Sequence, residues 1–487
     1  MPRNAGFAPT PAARPVPVAP FRAPQPAATG WAAPRFVASE DMNPTRKFGF
    51  TVLLIFVFIR LSLTHEVMAY QLGLPTFVLL VFGSITVLFT ILTGGVMRAM
   101  RHPAGMLWLV FSLLMVFATS FSLWVGGSSA VTGPFFKTNL PMYFGIAGMV
   151  CTWRECRKLL IVTGWAGALY VIVTRLIGDT SSGRLEIKSL PSIGNSNDLS
   201  AHMIYVLPYL IIVAVNPSVS KFVRLVAGAF VGWGLVQILA TGSRGAMVGI
   251  AAGVLFVLVR GTAKQKAAGA LIMVAAGLGL AVTIISSPAS RLANMLGDSG
   301  NSSSNESTAS SEARSYLLKK SIELSFTHPV FGLGPGQFME MMDRMSRAGG
   351  EYHTQVTHNT YTEISSEIGL PGLICVLAIL FLTARSLRQA MLQARLQGET
   401  ELAMVAFCVS AGMVAFCTTI IFLAMAYRQY LAGISGIGVA VAASIQHELA
   451  LRAAAKAAGP QLKPGMTPTF AGMPVRRPMQ PRRPMPV

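Results

Sequence analysis

Between residues 46 and 447 the chain alternates long apolar runs with short polar connections. About twelve runs of roughly 17 to 25 residues start near Phe48, Leu74, Pro103, Phe136, Lys158, Leu199, Phe222, Arg244, Lys266, His358, Glu401 and Tyr430. That is the length a helix needs to cross about 30 Å of hydrocarbon. The fourth run, FFKTNLPMYFGIAGMVC, is crowded in its first half by Lys137, Asn139 and Pro141. The pattern predicts an all-α, polytopic membrane protein of about twelve transmembrane helices, nine in residues 46–286 and three in 358–447. Residues 287–357 between them form one large loop. It opens on a Ser/Asn-rich linker, NSSSNESTASS, and changes at Glu312 to a helical pattern, EARSYLLKKSIELSF, with Tyr316, Leu317, Ile322 and Leu324 available for one apolar face. Residues 1–45 and 448–487 are Pro-rich and read as disordered, solvated tails, the first too long and too Pro-rich to be a cleavable signal peptide.

Charge fixes the orientation that hydropathy leaves open. Alternate connections carry two or three cations each: RAMRH (98–102), WRECRK (153–158), KFVR (221–224), RGTAKQK (260–266) and the segment holding Arg385, Arg388 and Arg395. The other set is mostly neutral, as in GGSSAVTGP, so the positive-inside rule puts the basic set and both termini in the cytoplasm. The expected location is a membrane, crossed many times. With 53% hydrophobic and 12% charged residues, an ordinary soluble enzyme is excluded. The net charge of +20 sits in short clusters and tails facing anionic lipid, not in a continuous groove, so nucleic acid is not an expected partner. No expected external loop holds a cysteine, and a disulfide framework is not indicated.

Two external connections break the expected poverty in cations. Residues 178–198 hold Arg184 and Lys188, and the large loop holds Arg291, Arg314, Lys319, Lys320, Arg344 and Arg347. Cations kept on the disfavoured side point to an anionic ligand. Four segments on that side carry candidate chemistry: SGRLEIKSLPSIGNSNDLSAH (182–202), TGSRGAMVG (241–249), ARSYLLKKSIELSFTHPVFGLGPGQF (313–338) and HNTYTEISSEIGLPG (358–372).

These residues resemble the O-antigen ligase and O-antigen polymerase family of membrane glycosyltransferases, whose fold is GT-C-like. The resemblance rests on Ser243-Arg244-Gly245, the run from His328 to Phe338, and His358-Asn359 followed by Glu367 to Gly372. It covers about 225 to 385, and more loosely the segment around Arg184 to Asp198. It implies that a glycan on a polyprenyl diphosphate carrier passes to an acceptor hydroxyl of a lipid, glycan or protein at the external face. His358 is then the implied base, and Arg244 and Arg314, with Arg184 beside them, the implied diphosphate ligands.

The residues themselves suit that chemistry. A lipid diphosphate already leaves well, so the reaction needs cations for the departing charge and one base for the acceptor proton. Arginine binds phosphate oxygens bidentately and stays charged, and an imidazole is mostly neutral at pH 7. No Asp-x-Asp motif is present, so neither a metal nor another cofactor is expected. Each residue also has a plainer reading. Arg244 at a hairpin tip can snorkel to lipid phosphate, Arg314 can be a solvated surface cation, and Lys188 reads as interfacial. His358 with Asn359 can cap the tenth span, and Asn195, Asn197 and Asp198 can bind sugar hydroxyls or cap the sixth. Glu363 and Glu367, four apart, either neutralise the arginines or face a wet cavity. His328 reads as a turn-packing residue, and Gly332, Gly334 and Gly336 as a flexible turn that folds the long loop back. Ligase and polymerase stay open as alternatives. A transporter or lipid-linked glycan flippase is the competing class, disfavoured because the span centres are nearly free of charge.

Overall fold

The computed structural model describes residues 43–74, 77–181, 183–270, 273–274, 302–347 and 355–457. The expected tails before 43 and after 457, most of the ninth apolar run and the start of the long loop lie outside the described residues. Among the described residues the chain is all-helical, without strands, and Asp179 and Glu186 make an isolated antiparallel bridge.

Helix α1 (Pro44–Leu61) begins where the Asn43 side chain accepts from the amides of Thr45 and Arg46. It breaks at Leu63, which takes φ 55, and bends by 58° into α2 (Thr64–Tyr70). Next come α3 (Phe77–Leu92), α4 (Gly95–Met100) and α5 (Pro103–Ser120). The insecure fourth run is one interrupted helix: α6 (Val125–Pro134), a π-turn at Phe135–Asn139, and α7 (Leu140–Met149). Pro141 has no N–H to close the ladder there, and the freed Asn139 side chain donates to the Tyr427 carbonyl at 2.8 Å. GGSSAVTGP, expected as a connection, is largely α6 itself. A reciprocal capping box of Thr152 and Glu155 starts α8 (Trp153–Ile177), which is followed by α9 (Ser196–Val215), α10 (Lys221–Ala240) and α11 (Arg244–Arg260).

The long loop contributes α12 (Ser302–Thr327) and α13 (Phe338–Arg347), so helix begins ten residues before the pattern change at Glu312. A short α14 (Thr360–Glu367) precedes α15 (Leu370–Leu396), α16 (Thr400–Thr419) and α17 (Gln429–Ala457). Among the described residues seven helices are long and apolar enough to cross a membrane, and α1 with α2 makes an eighth if the bent pair is one span. The expectation of about twelve is not reached by this measure. Helix α3 has 16 residues and α11 has 17, the α6–α7 run is interrupted, and the ninth run is largely outside the described residues.

Small residues let the spans touch. A Cβ on Gly249 would stand 1.9 Å from Thr419 Oγ1 and 2.8 Å from the Ala415 carbonyl, so α11 and α16 pack backbone to backbone. Away from the long loop, Arg46 is 1% exposed and donates to the Met149 carbonyl and to Glu155, both at 3.0 Å. At the opposite end lie the break after α1, the α8–α9 loop, the α10–α11 hairpin, the segments 302–347 and 355–369 and the turn before α17.

Candidate active site

Among the described residues every sequence-derived candidate lies at that loop-bearing end, and Arg291 lies outside the described residues. The hairpin between α10 and α11 is three residues, Thr241-Gly242-Ser243, tight because Gly242 takes φ 59. The Ser243 hydroxyl accepts from the Ala246 amide at 3.3 Å, which leaves Arg244 as the first, exposed residue of α11. The α8–α9 loop leans on this hairpin: the Leu185 amide donates to the Ala240 carbonyl at 2.9 Å, and Arg184 Nε to the Thr241 carbonyl at 2.8 Å. Arg184 Nη2 also donates to Asn197 Oδ1 at 3.2 Å, tying the loop to the first turn of α9. Lys188, in contrast, pairs with Asp179 at 3.3 Å and Glu186 at 3.1 Å.

Arg314 arrives on α12, which packs along α14 through a bond of 2.7 Å between Ser325 and Ser365 hydroxyls. Burial, and then the charges of Arg314 and Arg244 against the pull of Glu186, hold Arg184 below the ordinary guanidinium value. Burial and Arg314 together hold His358 below the ordinary imidazole value. The three arginines, from three separate elements, therefore share one electrostatic neighbourhood, and His358 faces Arg314 within it.

His358 takes φ 50, a left-handed conformation that costs a non-glycine residue about 1 kcal/mol. The strain is confined to the residue before a well-made cap. Asn359 Oδ1 accepts from the amides of Tyr361 at 2.9 Å and Thr362 at 3.1 Å, so Asn359 starts α14, a short helix of its own, and not the span α15. Asn195 does the same for α9, accepting from the Asn197 and Asp198 amides at 2.9 Å each, so the cap of that span is Asn195 and not Asp198. The side-chain oxygens of both asparagines are thus engaged as caps, while Asn197 contacts Arg184.

Glu367 stands apart from the arginines. It is 3% exposed and accepts from the Gly336 amide at 2.7 Å, the Phe338 amide at 2.9 Å and the Tyr427 hydroxyl at 2.7 Å. The Leu333 and Gly334 amides donate to the Ser366 and Glu367 carbonyls, each at 2.9 Å. Gly332, Gly334 and Gly336, at φ 64, 100 and 74, are therefore clamped onto the end of α14, and the expected flexible turn is a fixed one. Burial and the neighbouring Glu367 push Glu363 well above the ordinary carboxylate range, and its Oε2 accepts from the Ala426 amide at 3.0 Å. His328 is exposed and contacts the Thr327 hydroxyl at 3.0 Å.

Sequence reasoning missed Arg428. Its Nη2 pairs with Asp198 at 3.5 Å and its Nη1 donates to the Ser192 carbonyl, while the Ser192 amide donates to Glu66 at 3.0 Å. This network fixes the α8–α9 loop from its far side. The available signal was one more cation retained between two apolar runs at the disfavoured end. No group of three or more His, Cys, Asp or Glu side chains that could hold a metal is gathered among the described residues.

No curated protein matches the chain. A family model described as O-Antigen ligase matches residues 229–377, a segment that runs from α10 into α15 and contains Arg244, Arg314, the glycine-rich turn, His358, Asn359 and Glu367. Arg184, Asn195 and Asn197 precede it. Over those residues this multi-helix chain is similar to the O-antigen ligase family.

Proposed function

We propose that the protein is a glycosyltransferase of the bacterial inner membrane, with both termini cytoplasmic, that moves a glycan from a polyprenyl diphosphate carrier to an acceptor hydroxyl at the external face. The observation that carries this reading is the shared neighbourhood of Arg184, Arg244 and Arg314 with His358 beside it. Three guanidiniums brought together repel one another, and a diphosphate dianion is the ligand that relieves them. In the reaction the acceptor oxygen attacks the anomeric carbon, the bond from that carbon to the diphosphate oxygen breaks, and the electron pair leaves with the diphosphate. His358 takes the acceptor proton. Its lowered basicity keeps the imidazole neutral near pH 7, the form a general base requires. Arg184, Arg244 and Arg314 hold the charge that grows on the leaving group.

The test is release of polyprenyl diphosphate in proteoliposomes containing the full chain, a lipid-linked glycan and an acceptor saccharide. Asn tolerates the left-handed backbone of residue 358, so His358→Asn removes the base without straining α14. Turnover should fall by about 100-fold or more. Undiminished release would remove His358 from the reaction. Movement of lipid without release, in the parent chain, would replace the transferase with a flippase.

A further inference from the structure

Helix α12 has two apolar faces, and one of them has no partner among the described residues. Ala313, Leu317 and Leu324 are buried, the two leucines in a cluster with Leu333, Phe338 and Met342. Leu318, Ile322 and Phe326, spaced by four, are 37%, 43% and 68% exposed, and Val330 beyond the helix end is 54% exposed. Residues at this spacing line one side of a helix, and an uncovered stripe of this size in water is unfavourable.

What covers the stripe follows from the surface it joins. On α5 the residues Met106, Val110, Leu113, Phe117 and Phe121 are all exposed, on the outward side of a helix apolar and long enough to cross the membrane. Phe331 stacks on Phe121 with ring centroids 5.1 Å apart and lies 6.0 Å from Phe117. The lipid-facing stripe of α5 therefore runs without a break through Phe331 and Val330 to Phe326, Ile322 and Leu318. Trp124, 57% exposed just past the end of α5, is the residue type that settles at the headgroup boundary.

We propose that α12 is an interfacial helix, its Leu318–Ile322–Phe326 stripe and Val330 lying in the acyl-chain boundary of the leaflet at the loop-bearing end. Lys319 and Glu323, each turned about 100° from the stripe residue before it, are exposed and border the stripe on its water side. Arg314 stands four residues before Leu318, on the same side of the helix, which sets its guanidinium at the depth of lipid phosphates. The helix placement is independent of the transferase reading. What rests on that reading is the consequence that a lipid-borne diphosphate reaches Arg314 sideways, out of the leaflet.

The test uses the full chain in nanodiscs of phosphatidylethanolamine and phosphatidylglycerol, with nitroxide labels on Ile322→Cys, Phe326→Cys, Lys319→Cys and Glu323→Cys. The signal of the parent chain, which has five native cysteines, is subtracted. Collision with oxygen, which partitions into lipid, is compared with collision with a water-soluble nickel chelate. The ratio of oxygen to nickel collisions should be severalfold higher at 322 and 326 than at 319 and 323. Equal nickel access at all four positions would overturn the proposal, because the stripe would then be in water. Low access to both reagents at 322 and 326 would also overturn it, a second copy being the cover if spin–spin broadening accompanies it and this chain itself if not. The measurement needs no turnover, so its failure leaves the transferase reading standing, and inactive protein with the expected collision pattern does the reverse.

Discussion

Replacing Glu367 should release the glycine-rich turn while leaving the spans in place. The carboxyl is 3% exposed and takes three hydrogen bonds, from the Gly336 and Phe338 amides at 2.7 and 2.9 Å and the Tyr427 hydroxyl at 2.7 Å. Bonds to a charged group contribute about 1.5–3 kcal/mol each, and they do not add fully. Leaving the two amides and the hydroxyl without an acceptor costs about 1–3 kcal/mol for each buried group. For Glu367→Ala we therefore expect roughly 4 kcal/mol of lost local stability, about a 1,000-fold faster opening at 1.4 kcal/mol per decade. Tyr427→Phe leaves both amides bonded and should cost about 1–2 kcal/mol, near tenfold. The assay is amide hydrogen exchange of peptides covering 329–345 in nanodiscs, with peptides from α9 and α15 as internal references. Glu367→Ala exchange at the Gly336 and Phe338 amides matching the parent would refute the clamp. Equal acceleration in α9 would show instead that the residue supports the whole bundle.

Two further outcomes follow from the same geometry. A Cβ on Gly334, at φ 100, would stand 2.1 Å from Ser122 Cβ and 2.7 Å from Ser128 Oγ, so Gly334→Ala should undock the turn from α6 at a cost of about 2–4 kcal/mol, read as a lower unfolding temperature; an unchanged midpoint would contradict the packing. Arg314 disfavours the imidazolium of His358, so the acid limb of kcat/KM in the parent should lie below the ordinary imidazole value of about 6.5, and Arg314→Gln should move it to higher pH as well as slow the reaction. A slower variant with an unmoved limb would separate His358 from Arg314.

Hydropathy and cation alternation in the sequence were enough for an all-helical membrane protein with its chemistry at one end, because both are properties of each run taken alone. They were not enough for the span count. A window over 125–149 registers apolar content but not the π-turn that the missing N–H of Pro141 imposes, and nothing local marks the 58° bend after Leu63. The candidate residues divide along the same line. Arg184, Arg244 and Arg314 could be singled out as cations at the disfavoured end and His358 by the family resemblance, while their grouping around one site comes only from the fold. Asn195 and Asn359 have a local use, and the caps they make are the outcome their positions before α9 and α14 allow. Glu367 and Arg428 were not legible in role: their partners lie 29 to 60 and 230 to 236 residues away.

The cluster of arginines is a cost the fold maintains. Like charges brought to one site repel, and in the proposed orientation the positive-inside bias adds a further penalty at this end. The bundle meets that cost by fixing each cation through a different element. Arg184 is held by the Thr241 carbonyl and Asn197, Arg244 is set by the Ser243 cap, and Arg314 is carried on a helix joined to α14 at Ser325 and Ser365. Held by separate elements, they need little rearrangement in the proposed reaction when negative charge grows on a departing diphosphate. That is the condition under which fixed dipoles and charges favour a transition state over a ground state. It also makes the position of α12 decisive, since a shift of that one helix takes Arg314 away from Arg184 and from His358 at once.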